Sequence, residues 1–212
     1  MLFDSVDRMA GLFHALDGRP IADDPEDVAL FGSALARLHG ALSGIEAGGV
    51  RPLNPTTLCA HPAASLAGIN GSDSVRHAID RCRAEMLSDP ATHDLPSGNC
   101  HGDARLANAI AQDGTIGFFD FDDCGHGPYV LDLGTAIWHF VRGGPAKAAL
   151  IAALLGGYER VCPLSEAERR ALPQFVKLAE IRALLFLAEF ASSRTISGGT
   201  SSTRRQPCWI AS

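Results

Sequence analysis

The chain has 212 residues, 46% hydrophobic and 20% charged, with a formal net charge of -6. That is enough for one medium domain or two small ones with a packed core, and the composition is that of a folded protein. The balance of 24 acidic against 18 basic residues argues against the basic face of a general nucleic-acid binder. Membrane association is also not expected, because the longest apolar runs, Ala148–Leu155 and Ala183–Leu187, are too short to span a bilayer. Met1–Met9 carries Asp4 and Asp7 and no apolar run, unlike a signal peptide. Cys59, Cys82, Cys100, Cys124, Cys162 and Cys208 lack the close spacing of a zinc or dithiol site. Their even number is compatible with disulfides, but reduced thiols in a cytoplasmic protein are the expectation.

Leu2-Phe3-Asp4-Ser5-Val6 predicts a short strand, followed by a loop through Gly11 and Gly18. A helix follows, with Asp24 as cap, Pro25 in its first turn, and Glu26 and Asp27 at the positive end of its dipole. Val28, Phe31, Leu35, Leu38 and Leu42 fall on one helical face, and Gly40 and Gly44 supply stop signals. Residues 48–72 read as an irregular connection rich in Gly, Pro, Asn and Thr. A second helix is predicted over Ser74–Leu87, ended by Asp89-Pro90, with Val75, Ile79, Cys82 and Met86 on one side. Further helices are predicted over Tyr129–Val141, Pro145–Val161 and Pro173–Ala191, with a shorter turn opened by the capping-box pattern at Ser165.

The segment from Cys100 to Asp123 carries the chemistry. Asp113-Gly114 is a strong two-residue hairpin signal between the short runs Asn108–Ala111 and Thr115–Phe119. Folding back at that turn makes neighbours of Asn108 and Asp120, with Asp103 projecting over the same end. Two carboxylates and an amide then offer the oxygen ligands that magnesium prefers. One carboxylate can stay off the metal and orient an attacking hydroxyl, and phosphoryl transfer needs little beyond positioning and charge neutralisation. Singly, each residue fits a hairpin with polar ends; the combination is far more specific.

His101-Gly102-Asp103, Asn108 and Asp120-Phe121-Asp122 together resemble the motifs of the aminoglycoside phosphotransferase and choline kinase-like family, relatives of the protein kinases. The run Phe119-Asp120-Phe121-Asp122-Asp123, with Gly127-Pro128 and Asp132-Leu133, is most similar to the branch holding the stress-response serine/threonine kinase and homoserine kinase-like enzymes. Gly32-x2-Leu35-Ala36-Arg37-Leu38-His39 resembles that family's first large-lobe helix. The resemblance implies an α+β, mainly α-helical fold. It would be a protein-kinase-like C-terminal lobe over residues 1–194 with a small β-hairpin at the catalytic site and the N-terminal lobe absent. Residues 195–212 are expected to form a mobile tail.

The resemblance also implies roles. Asp103 would be the catalytic base, and Asn108 and Asp120 would ligate Mg2+, with Asp122 assisting a second metal. Arg105 stands where many members carry histidine, and would contact the transferring phosphoryl group or form a surface salt bridge. His101 would hold the loop by packing, Asp132 would brace it by hydrogen bonds, and His39 would be structural. Leu2–Val6 would match the last small-lobe strand and the hinge, making Asp4, Ser5 and Val6 the ATP contacts. The two lysines, Lys147 and Lys177, both follow the motif, so neither matches the family's phosphate-pairing lysine. The implied activity is ATP- and magnesium-dependent phosphate transfer to a hydroxyl of a small molecule or protein, weak in this chain alone. A non-catalytic kinase-like binding module is the alternative. A metal-dependent hydrolase fits less well, since two-metal sites usually draw on more His and Asp ligands.

Overall fold

A computed structural model describes residues 15–45, 50–60, 72–141 and 147–196. In chain order the elements are β1 (Arg19–Pro20), α1 (Pro25–Leu42), α2 (Pro55–Leu58), α3 (Ser72–Ser88), β2 (Ser97–Cys100), β3 (Ala109–Gln112), β4 (Thr115–Phe118), β5 (Gly125–Pro128), α4 (Val130–Val141), α5 (Ala148–Glu159) and α6 (Glu166–Ile196). Helices dominate, and the strands form a three-stranded antiparallel sheet, β1-β3-β4, and a two-stranded one, β2-β5. None of the described helices is long and apolar enough to cross a membrane. The expected strand Leu2–Val6, with Asp4, Ser5 and Val6, lies outside the described residues. The expected tail lies outside them too from residue 197, whereas 195 and 196 continue α6.

Helix α1 starts as its sequence dictates. The Asp24 carboxylate accepts from the backbone N–H of Glu26 and Asp27, each at 3.0 Å, a cap worth about 1 kcal/mol. Asp27 also takes N–H donors from the Arg19 guanidinium and Ala22. The Arg19 hydrogen bond holds its carboxyl down to about 2. Val28, Phe31 and Leu35 are fully buried, but the buried face also takes in Gly32, Ser33 and Ala36, because α1 packs closely against α5. Gly40 does not stop the helix, which continues to Leu42.

The α1–α5 crossing depends on two glycines. A Cβ on Gly32 would lie 2.2 Å from the Leu154 carbonyl oxygen, and one on Gly157 would lie 2.1 Å from that of Ala29. The Ser33 hydroxyl donates across the same contact to the Gly157 carbonyl at 2.8 Å. Both obstacles are backbone, so they cannot swing aside. Gly157→Ala is therefore expected to destabilise the fold. Overpacking costs about 1–3 kcal/mol, more than the ~0.5–1 kcal/mol gained from higher helix propensity. Chemical denaturation reads the loss as a lowered midpoint at unchanged slope.

The C-terminal helices differ from the sequence expectation. Ser165 and Glu168 do form a capping box, Ser165 N–H to Glu168 at 2.8 Å and Glu168 N–H to the Ser165 hydroxyl at 3.2 Å. The helix it opens, however, runs unbroken through Pro173. Pro173 removes one backbone hydrogen bond, at about 3 kcal/mol, but it sits on the exposed side. Leu172, Phe175 and Leu178 are buried across the interruption, at about 1.5–3 kcal/mol each. Their burial outweighs the proline. In the connection read as irregular, Asn54 caps the single-turn helix α2, accepting from Thr57 N–H at 2.9 Å.

Candidate active site

The segment from Ser97 to Pro128 is a nested pair of ladders. The outer one pairs β2 with β5, from Ser97 opposite Pro128 to Cys100 opposite Gly125. The inner one is the expected hairpin, with Ala109 opposite Phe118 and Gln112 opposite Thr115. Asp113 and Gly114 have φ of 49° and 74°, both positive as a type I′ turn requires. Phe118 packs on Phe31 of α1 with ring centroids 5.4 Å apart, which docks the hairpin on the helical body. Between the ladders the chain has two loops, 101–108 and 119–124, and these carry the candidate residues.

Hydrogen bonds tie the loops together. The Phe119 N–H donates to the Asn108 carbonyl at 3.1 Å, so Asp120 follows directly on the residue paired with Asn108. The His101 Nδ1 lies 3.3 Å from the Asp103 N–H and accepts from it. His101 Nε2 therefore carries the proton and donates to the Phe119 carbonyl at 2.9 Å. The ring also packs on Phe121, with centroids 4.5 Å apart. His101 thus has the loop-holding role expected of it.

Asp132 of α4 is the brace. Its carboxylate accepts from the backbone N–H of His101 and Gly102, each at 2.8 Å, and from His39 Nε2 at 2.9 Å. The other nitrogen of His39 faces the Tyr158 hydroxyl at 2.9 Å. A neutral imidazole donating from Nε2 and accepting at Nδ1 satisfies both partners. Asp132 and His39 are buried. Burial opposes charge on Asp132, but the His39 hydrogen bond and the nearby donors prevail and hold its carboxyl below the ordinary carboxylate value. Burial pushes the Tyr158 hydroxyl up, so it stays protonated and able to donate.

Asn108 is fully buried. Its Nδ2 donates to the Asp103 backbone carbonyl at 2.9 Å and to Asp103 Oδ2 at 2.8 Å. Both amide hydrogens are thereby used, which fixes the flip of the side chain. Its Oδ1 is left buried with no hydrogen-bond partner among the described residues. An unsatisfied buried acceptor costs about 1–3 kcal/mol, and an amide oxygen is a good ligand for a hard divalent cation. Asp120 has a left-handed backbone, φ 64° and ψ 59°, which aspartate tolerates better than most residues and which concentrates at functional sites. Its carboxylate makes no hydrogen bond or ion pair with another described residue. This donor set fits a magnesium ion.

The remaining candidates spread out. Asp122 is exposed in the turn after Asp120. Arg105 turns inward, its Nε 3.0 Å from Asp103 Oδ2, with both side chains 26% exposed. Sequence reasoning missed Arg182 of α6 and Arg51, which both reach Asp123. Arg182 also donates to the Gly102 carbonyl at 2.6 Å. An arginine eighty residues after the motif, on a helix patterned for burial, gives no local sign of this.

The model of the phosphotransferase enzyme family matches residues 8–164. An uncharacterized protein of Deinococcus radiodurans is 31% identical over 207 residues, covering 93% of this chain and 59% of that protein. The homoserine kinase of Gluconacetobacter diazotrophicus is 37% identical over 162 residues, covering 73% of this chain and 50% of that protein. This chain therefore spans about half to three fifths of the length of these relatives. Among solved structures, an amicoumacin kinase in complex with AMP-PNP, Ca2+ and Ami matches with a TM-score of 0.66 at 17% identity, over 86% of this chain and 60% of that one. At that identity the likeness is one of fold, the kinase-like fold that the motifs imply. The helical body, the hairpin and the family match agree: this chain belongs to the phosphotransferase enzyme family.

Proposed function

We propose that this chain carries the phosphoryl-transfer centre of a cytoplasmic, ATP- and magnesium-dependent kinase acting on a hydroxyl. The observation that carries this reading is the buried Asn108 Oδ1 on one loop, with the Asp120 carboxylate on the loop bonded to it, neither with a partner among the described residues. Asn108 and Asp120 would hold the magnesium, with Asp122 near enough in sequence to serve a second ion. Bound there, the metal would neutralise phosphate charge. Asp103 orients the acceptor hydroxyl and takes its proton. Arg105 keeps a permanent positive charge beside Asp103, where it can meet the transferring phosphoryl group. For the nucleotide, Asp4, Ser5 and Val6 are proposed on the resemblance of Leu2–Val6 to the interlobe hinge, and residues 1–194 as one kinase-like lobe. The acceptor is a hydroxyl-bearing small molecule or protein. The homoserine kinase relative favours a small amino-acid alcohol as the first to try.

Mn2+ titration followed by electron paramagnetic resonance tests the metal site in the chain itself. Binding to the chain without nucleotide is expected to be weak, because phosphate oxygens usually complete such a coordination shell. Asp120→Asn keeps a residue that accepts the left-handed backbone but removes the charge. It should weaken Mn2+ binding at least tenfold or so, the scale for losing even an outer-shell partner. Unchanged affinity in that variant would remove the site.

A further inference from the structure

We propose that Arg182 is a positioning residue that sets the spacing between the loop bearing Asp103 and the loop bearing Asp120, and so shapes the metal site without touching it. The inference rests on the phosphotransfer reading above, but its observations are separate. Gly102 directly precedes Asp103, and Asp123 lies three residues after Asp120. The two segments meet backbone to backbone. A Cβ on Gly102 would stand 1.9 Å from the Asp123 carbonyl oxygen, and Gly102 has φ +84°, so glycine is required on both counts.

Arg182 closes this junction from α6. Its Nη1 donates to the Gly102 carbonyl at 2.6 Å, and its Nη2 lies 3.4 Å from Asp123 Oδ2. Its side chain is 14% exposed, against 45% for Arg51, which reaches the other Asp123 oxygen at 3.3 Å. Arg182 is thus the sheltered member of the pair, where a charged hydrogen bond is screened least. The Gly102 N–H is already held by Asp132. With Arg182 on its carbonyl, the residue before Asp103 is fixed at both its polar groups. Arg182 makes no hydrogen bond or ion pair to Asp103, Asn108 or Asp120. A planar guanidinium can serve two acceptors at once, which an ammonium on a flexible stem does poorly.

The sign of the effect separates positioning from simple charge. A fixed cation near a metal site repels the metal, so a purely electrostatic Arg182 would give tighter Mn2+ binding on removal. A positioning Arg182 gives weaker binding. The experiment titrates Mn2+ against the full chain, its Arg182→Ala and Arg182→Lys variants, and Asp120→Asn as the reference. Arg182→Ala is expected to bind about tenfold more weakly, the low end for outer-shell partners. Arg182→Lys should fall between, since it keeps one of the two contacts. Circular dichroism and cooperative unfolding establish that each variant is folded, and the lysine variant serves alone if the alanine variant is not. Wild-type or tighter affinity in a folded Arg182 variant overturns the proposal. If Asp120→Asn is impaired and the Arg182 variants are not, the positioning role falls and the metal site stands. If Asp120→Asn binds as wild type, the metal site falls and takes this inference with it.

Discussion

Replacing Asp132 by alanine should cost at least about 3 kcal/mol of folding stability, since it leaves three buried donors without their acceptor at about 1–3 kcal/mol each. Asp132 is fully buried and is the shared acceptor for two backbone N–H groups and the His39 ring. Its loss leaves the His101 and Gly102 N–H groups without their acceptor in the interior and takes the partner from His39, which itself links α1 to Tyr158 of α5. No rotation of a single side chain repairs this, because the three donors come from two separate elements. Urea unfolding monitored by circular dichroism gives the loss directly. The pH dependence has a definite sign. The folded carboxyl lies below its ordinary value of 3.8, so its contribution is fully present above that value and is lost as pH falls through the folded value. The gap between wild type and Asp132→Ala should therefore narrow in acid. A gap that widens on acidification would mean that Asp132 is buried uncharged.

Asp103→Asn should reduce phosphate transfer by about a hundredfold to ten-thousandfold, the usual contribution of a positioned general acid or base. The variant keeps the size of the side chain and an oxygen able to accept from Asn108 Nδ2, while losing the charge that pairs with the Arg105 guanidinium. With that charge it loses the carboxylate proposed to take up the acceptor proton. Nucleotide and metal affinity should change little, because in the proposed role Asp103 addresses the acceptor rather than the phosphates. Single-turnover kinetics with matched nucleotide-binding measurements separate these effects. A fall in nucleotide affinity equal to the fall in rate would assign Asp103 to binding rather than proton transfer.

Much of the site was legible because the signals were local. Asp113-Gly114 between two short apolar runs determines the hairpin, and its register brings Phe119, and with it Asp120, back to Asn108. Asp24-Pro25 determines the start of α1 in the same way. The outer ladder was not legible. Ser-Gly-Asn-Cys in β2 and Gly-His-Gly-Pro in β5 have none of the β-branched alternation that marks a strand. β5 is glycine-rich because the chain from Arg51 to Leu53 passes directly over it, a Cβ on Gly125 or Gly127 lying 2.4 or 2.5 Å from a carbonyl oxygen of that segment, whereas a Cβ on Gly98 of β2 would lie 2.1 Å from the Tyr129 hydroxyl. The unbroken α6 was missed for a related reason, since proline weighs heavily in a local reading and the burial that overrides it is tertiary. The contacts of Arg182 were likewise not legible. This residue lies on the part of α6 beyond Pro173, within the stretch already expected to be helical, and only the tertiary packing of that helix shows its contact with the Gly102 carbonyl.

If these two loops form a phosphoryl-transfer centre with Asp103 as its base, that residue must be needed for transfer itself. Because the curated relatives are longer than this chain, the most direct measurement grafts the chain in place of the region it matches in the Gluconacetobacter diazotrophicus homoserine kinase. Transfer of labelled γ-phosphate from ATP is then followed across a panel of amino alcohols, aminoglycosides and protein hydroxyls. The graft is expected to show magnesium-dependent transfer that is lost with Asp103→Asn at retained nucleotide binding. Transfer by the Asp103→Asn graft at the rate of the unmodified one would contradict this role for Asp103.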